Sequence, residues 1–229
     1  MKKFFVFAAF AVLALTSATV IKPVTYKMDA AKSTFKWTGK KVTGQHWGYI
    51  KFTDGSITTD GTNVTGGSFN VDMNTMDCQD MPADKGGAKL LGHLKSDDFF
   101  GTEKFPKSTL TIKSATAKGA GQFDVTADLT IKGTTSEVAF PATISMDGKS
   151  LTAKAAFKVD RTKYGIKYGS GSFFENLGDK AISNEFEVEV DIAAANDAPA
   201  ATVAPMAAPA KKKMKAKTAK KVAAAPAKG

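Results

Sequence analysis

The 229-residue chain has one cysteine, Cys78, so no disulfide can form within it and a hydrophobic core must hold the fold. Its only histidines, His46 and His93, stand far apart in sequence. A serine nucleophile elbow, a phosphate-cradling glycine loop, zinc-ligand spacing and a paired-carboxylate arrangement are all missing, which removes the usual signatures of an enzyme. One long apolar run exists, Phe4 to Leu15, and it is shorter than the roughly 20 residues that span a bilayer. Lys2 and Lys3 precede it and Thr16, Ser17 and Ala18 follow. The run therefore reads as a secretory signal peptide over 1–18, with no nearby cysteine to carry a lipid. A periplasmic or secreted protein is expected.

The formal charge of +10 does not belong to the folded part. Residues 19–193 carry 22 basic against 21 acidic side chains, a net of +1, whereas residues 194–229 carry eight lysines and one aspartate. A nearly neutral domain gives no footprint for nucleic acid, and none is expected as a partner. The Ala/Pro/Lys segment 194–229 has no aromatic residue and no sustained apolar period, so a disordered basic tail is expected. As a spacer it would only solubilise the protein. As an interaction tail it would hold the domain near an anionic membrane or envelope surface, each lysine close to the surface adding roughly 1 kcal/mol.

Between these ends, residues 19–193 make one ordinary domain, and alternation dominates it. Phe123, Val125, Ala127, Leu129 and Ile131 are interleaved with polar residues, as are Phe186, Val188, Val190 and Ile192. Similar stretches run through Phe35 and Trp37, Trp47 to Phe52, Phe69 to Met73, Leu110 to Ile112, Val138 to Ile144 and Leu151 to Val159. Asp54-Gly55, Asp60-Gly61, Lys132-Gly133 and Asp147-Gly148 punctuate them as turns. One-sided alternation over about eight strands implies an all-β antiparallel barrel or sandwich. Its exception is a short helix between Pro82 and Phe100, suggested by Ala88, Leu90, Leu91 and Leu94, with Ser96 placed to cap a further turn.

Two polar constellations compete with a purely structural account. His93 and Asp97 would share a helical face, but two ligands do not make a metal site, and carboxylates just after a cap are favoured by the helix dipole anyway. MNTMDCQDM crowds Met73, Met76, Cys78 and Met81 into nine residues, a soft set for cuprous copper. Its spacing follows no established ligand pattern, so a strand with Met73 inward and a loop with a free thiol is preferred. That thiol would also be able to cross-link two chains. No catalytic residue, metal or cofactor is assigned.

The sixteen phenylalanines, four tyrosines and two tryptophans make a large apolar interior, either filled or open to one small ligand. Four stretches decide what such a barrel resembles: YKMDAAKSTFKWTGKK, GHLKSDDFFGTEKFPKSTLTI, ADLTIKGTTSEVAFPATI and DRTKYGIKYGSGSFFENLGDKAISNEFEVEVDI. In this order they resemble the YceI-like family of exported lipid-binding proteins, over nearly all of residues 26–192. Where members commonly read Asp, two residues, then His-Ser, this chain has Asp29, Ala30, Ala31, Lys32 and Ser33. The resemblance implies a lipocalin-like barrel whose apolar tunnel holds an isoprenoid or similar amphiphile, often as a homodimer, and binds without chemistry. Within that implied barrel, alternation makes Phe35, Trp37, Trp47, Tyr49, Phe69, Leu110, Phe123, Leu129 and Phe157 the wall candidates. Phe99 and Phe100 are expected to help close the barrel at the helix, and Tyr164, Tyr168, Phe173 and Phe174 to form a mouth or lid. The competing function is an envelope adhesion protein acting through its basic tail.

Overall fold

The computed structural model describes residues 22–196; the expected signal peptide and the tail from 197 onward lie outside the described residues. In chain order the strands are β1 (Val24–Met28), β2 (Thr34–Lys41), β3 (Gly44–Tyr49), β4 (Lys51–Thr59) and β5 (Val64–Asp72). Helix α1 (Gly87–Lys95) follows, then β6 (Lys107–Gly119), β7 (Gln122–Ile131), β8 (Thr134–Met146), β9 (Ser150–Asp160) and β10 (Ile182–Ala195). All pairings are antiparallel, and β4 to β10 neighbour one another in sequence order. β1 and β2 lie end to end along one edge of β10, and β4 and β3 lie end to end against them. Ten segments thus build an eight-strand closed barrel with one short helix, a lipocalin-like fold.

Sequential antiparallel neighbours need only tight turns. At the β7–β8 turn Lys132 and Gly133 take φ of 50° and 73°, the left-handed pair a two-residue hairpin requires. The barrel closes on small side chains. Ala194 pairs with Leu151 on one side and Met28 on the other, and is buried. The last strand therefore runs two residues past the boundary expected at 193. An alanine run that looks like tail composition is in fact the seam of the barrel.

Tight turns at 59–64, 119–122 and 146–150 gather at one end, which we call the lower end. There Tyr26, Ile57, Val64, Phe123, Ile144, Leu151 and Ala194 form a buried plug. Helix α1 and the segment 161–181 cover the upper end, over a second buried group that includes Phe99, Ile131, Val159, Tyr164, Ile166 and Val188. Leu91 and Leu94 pack from α1 onto the barrel interior, whereas Ala88 stays exposed. Ser96 does not begin a further turn with a side-chain cap; its Oγ donates to the His93 carbonyl at 2.8 Å and closes α1 instead. The outer faces carry cross-strand ion pairs such as Lys36–Glu189 at 2.7 Å and Lys113–Glu137 at 2.8 Å, consistent with a domain whose charges nearly cancel.

Candidate functional site: an apolar cavity with one polar end

Along β9 the inward side chains are sealed at both ends and accessible in the middle. Leu151 and Val159 are buried, while Ala153, Ala155 and Phe157 between them are only half-buried although they face the interior. A filled barrel would bury all five. The accessible surface belongs to an internal cavity of about 240 Å³. Phe35 and Trp37 of β2, Phe69 of β5, Leu110 of β6, Leu129 of β7 and Phe157 of β9 line it, as do Phe99 and Phe100 from the turn after α1. Phe52, Phe140 and Phe186 line it too; all three hold inward positions, and their bulk was the signal that should have marked them. The Phe140 and Phe157 rings stack with centroids 4.2 Å apart, giving one flat aromatic wall.

Other expected wall residues lie elsewhere. Trp47 and Tyr49 face outward, because β3 pairs them with Thr38 and Lys36 on the outer face of β2, while Gly48 opposes Trp37. Their rings meet edge-on at 5.8 Å, and the Lys36 ammonium lies 5.4 Å from the Trp47 ring. The inner side of Gly48 is taken by main chain: a Cβ there would lie 2.1 Å from the Asp77 carbonyl oxygen, which also accepts the Trp37 indole N–H at 3.1 Å. Phe123 does face inward, but in the lower plug rather than along the cavity.

Neither do the four expected lid residues line the cavity. Tyr164 is buried in the upper core, and that burial pushes its phenol up to about 12, so it is a neutral packing residue. Tyr168 rests on the His93 ring at 4.5 Å and on Phe99 at 5.5 Å, outside the cavity wall. Phe173 and Phe174 are 48% and 51% exposed on the Gly-rich segment. His93 reaches Asp98 at 3.2 Å rather than Asp97, which pairs with Lys104 at 2.6 Å. Lys32 forms an exposed ion pair with Asp29 at 3.0 Å.

The cavity lining turns polar toward the upper end, where Lys40, Lys41, His46, Ser183, Glu185 and Arg161 contribute. Arg161 is buried, and its guanidinium donates to three main-chain carbonyls: Ser183 at 2.9 Å, Ile166 at 2.9 Å and Ile182 at 3.1 Å. Burial draws its pKa down from the usual arginine value, while Asp160 works the other way. It fastens the 161–181 segment to the start of β10.

Beside that end, residues 77–79 run along the free edge of β3. The Asp77 N–H donates to the Tyr49 carbonyl at 3.0 Å and the Gln79 N–H to the Trp47 carbonyl at 2.9 Å. This brings Cys78 and Asp80 to His46, which sequence distance had kept apart. Burial pushes the Cys78 thiol up, and its hydrogen bond to Asp80 adds to that.

Comparison with known proteins agrees with this architecture. The model of the YceI-like domain matches residues 26–194. Protein YceI of Escherichia coli O157:H7 is 32% identical over 139 residues, covering 56% of this chain and 70% of the relative. A UPF0312 protein of Staphylococcus aureus is 41% identical over 83 residues, covering 33% of this chain and 46% of its own. Among solved structures, BcnA of Burkholderia cenocepacia superposes with a TM-score of 0.59 at 20% identity, over 72% of this chain and 98% of its own. A polyisoprenoid-binding domain from Saccharophagus degradans does so with 0.54 at 16% identity, over 76% and 99%. At those identities the two structures speak for the fold alone. The matched span begins at Tyr26 of β1 and ends at Ala194, the residue that closes the ring, so the whole barrel is what is shared: the chain belongs to the YceI-like family.

Proposed function

We propose that this chain is an exported binding protein that takes an isoprenoid or other long-chain amphiphile into the barrel and performs no chemistry on it. The observation that carries this reading is the inward face of β9, sealed at Leu151 and Val159 and accessible between them. An apolar tube with polar groups at one end suits a molecule with a long tail and a small head. Each buried methylene contributes roughly 0.8 kcal/mol, and the polar groups near Lys41, His46 and Glu185 hold the head. The Saccharophagus degradans domain of the same fold binds polyisoprenoid by its name, which supports that chain chemistry here. Organic extraction of gently purified protein, followed by mass spectrometry, is expected to yield about one long-chain lipid per barrel. Protein that releases none, and takes up no polyprenyl probe, would show the reading to be wrong.

The lysine tail supplies the docking half of the proposal, holding the carrier close to an anionic envelope surface from which a ligand is drawn. Removing residues 197–229 is expected to abolish salt-sensitive binding to anionic vesicles and leave lipid uptake intact. Removing 194–229 is expected to lower stability as well, because Ala194 and Ala195 pair with β1 and β9. Vesicle binding unchanged by the shorter deletion would remove the tail from the mechanism.

A further inference from the structure

We propose that His46, Cys78 and Asp80 form a binding site for a borderline divalent transition-metal ion, zinc foremost. One donor atom from each residue lies within 4.8 Å of the other two, and among the described residues this is the one such cluster. It offers one nitrogen, one sulfur and one oxygen, the mixed set that zinc takes in tetrahedral sites at about 2.0–2.3 Å. Those bond lengths place ligand atoms roughly 3.3–3.8 Å apart, so to take the ion the His46–Asp80 pair opens slightly and the wider separations close. His46 Nδ1 is already 2.8 Å from Asp80 Oδ2, and Cys78 Sγ is 3.4 Å from Asp80 Oδ1.

The frame that holds these donors is built before any ion arrives. Two main-chain bonds pin residues 77 and 79 to β3. The Trp47 N–H donates to Asp80 Oδ1 at 2.9 Å, which fixes the carboxylate and leaves Oδ2 turned to the imidazole. An aspartate carboxylate is ordinarily ionised at neutral pH, so Asp80 offers a charged oxygen donor. Three protein donors leave a fourth position for water or another small ligand.

Met73 and Met76 are buried against the cavity, and the Met81 sulfur lies over Gly86. The donors that come together, one nitrogen, one sulfur and one oxygen, are a set suited to zinc.

The test titrates the full chain with Zn²⁺, and with Co²⁺ as a spectroscopic probe, under reducing conditions. One equivalent of Co²⁺ is expected to give a thiolate-to-metal charge-transfer band and tetrahedral d–d absorption. Cys78→Ser is expected to remove the charge-transfer band. His46→Ala should weaken zinc binding by more than the roughly 10–100-fold that losing a mere outer partner costs. His93→Ala is expected to change neither. Circular dichroism checks each fold; should Cys78→Ser unfold the chain, His46→Ala and Asp80→Asn decide the matter. Cobalt bound without the thiolate band, or affinity indifferent to both His46→Ala and Asp80→Asn, overturns the proposal. So does conversion of Cys78 to a chain–chain disulfide at saturating zinc without reductant. The titration is run on delipidated protein, because His46 also lines the polar end of the cavity.

Discussion

Replacing Ala155 with tryptophan is expected to abolish uptake of long-chain amphiphiles while leaving the barrel folded. Ala155 sits at the middle of β9, faces the interior, and pairs with Ala142 and Val190. An indole built there extends into the cavity rather than into packed atoms, so the overpacking penalty of about 1–3 kcal/mol that a filled core would impose is largely avoided. The ligand has to give up the space instead. Displacing some five methylenes forfeits about 4 kcal/mol, close to a thousandfold in affinity. Ala156→Trp, one residue on and exposed on the outer face, is the control. Competition against a fluorescent polyprenyl probe, read beside the melting temperature, separates the outcomes. Tight binding in a folded Ala155→Trp protein would mean that the tail lies somewhere other than in the barrel.

Arg161→Ala is expected to lower stability by about 3–5 kcal/mol, a large part of what a domain of this size has to spare. The substitution strands the carbonyl oxygen of Ile166 in a buried setting and takes the donor from those of Ile182 and Ser183, which are partly buried. Each stranded acceptor costs roughly 1–3 kcal/mol if nothing replaces its donor. Arg161→Lys should rescue little, because one ammonium cannot cover three oxygens spread around a planar fork. Denaturant unfolding measures the loss. Hydrogen exchange should show protection vanishing first across 161–183, since the guanidinium ties that segment to β10. A melting curve for Arg161→Ala close to that of the parent would show that the upper end is held by packing alone.

How much of this was legible in the sequence depended on whether alternation survived intact. β7 reads cleanly from Phe123 to Ile131, and every other residue is buried as the pattern says. β6 does not. Its register slips between Ile112 and Ser114, so the apolar positions jump from Ile112 to Ala115 and the strand looks half its true length. A bulge adds one residue that no side-chain pattern announces. β4 slips likewise between Phe52 and Asp54, moving the inward set from Phe52 to Gly55 and Ile57. Trp47 and Tyr49 were misplaced for a related reason: aromatic bulk suggests a core position, yet Phe52 and Ile50 are the true inward partners, one residue out of step. The cluster of His46 with Cys78 and Asp80 was invisible because it depends on a loop folding back along β3. Spacing in sequence carries no trace of that.

The plug at the lower end makes the tube a ruler. A passage open at both ends would accept a chain of any length, with the excess emerging from either side. With Tyr26, Phe123 and Leu151 blocking one end, the tail of a ligand bound as proposed meets a fixed stop, and chain length becomes a basis for selection. A chain too short leaves cavity unfilled and loses binding with every missing methylene. A chain too long carries its head out past Lys41 and His46, against the cover of α1 and the 161–181 segment, and gives up its polar contacts. Affinity against chain length should therefore climb and then fall, and the length at the maximum measures the depth of the barrel.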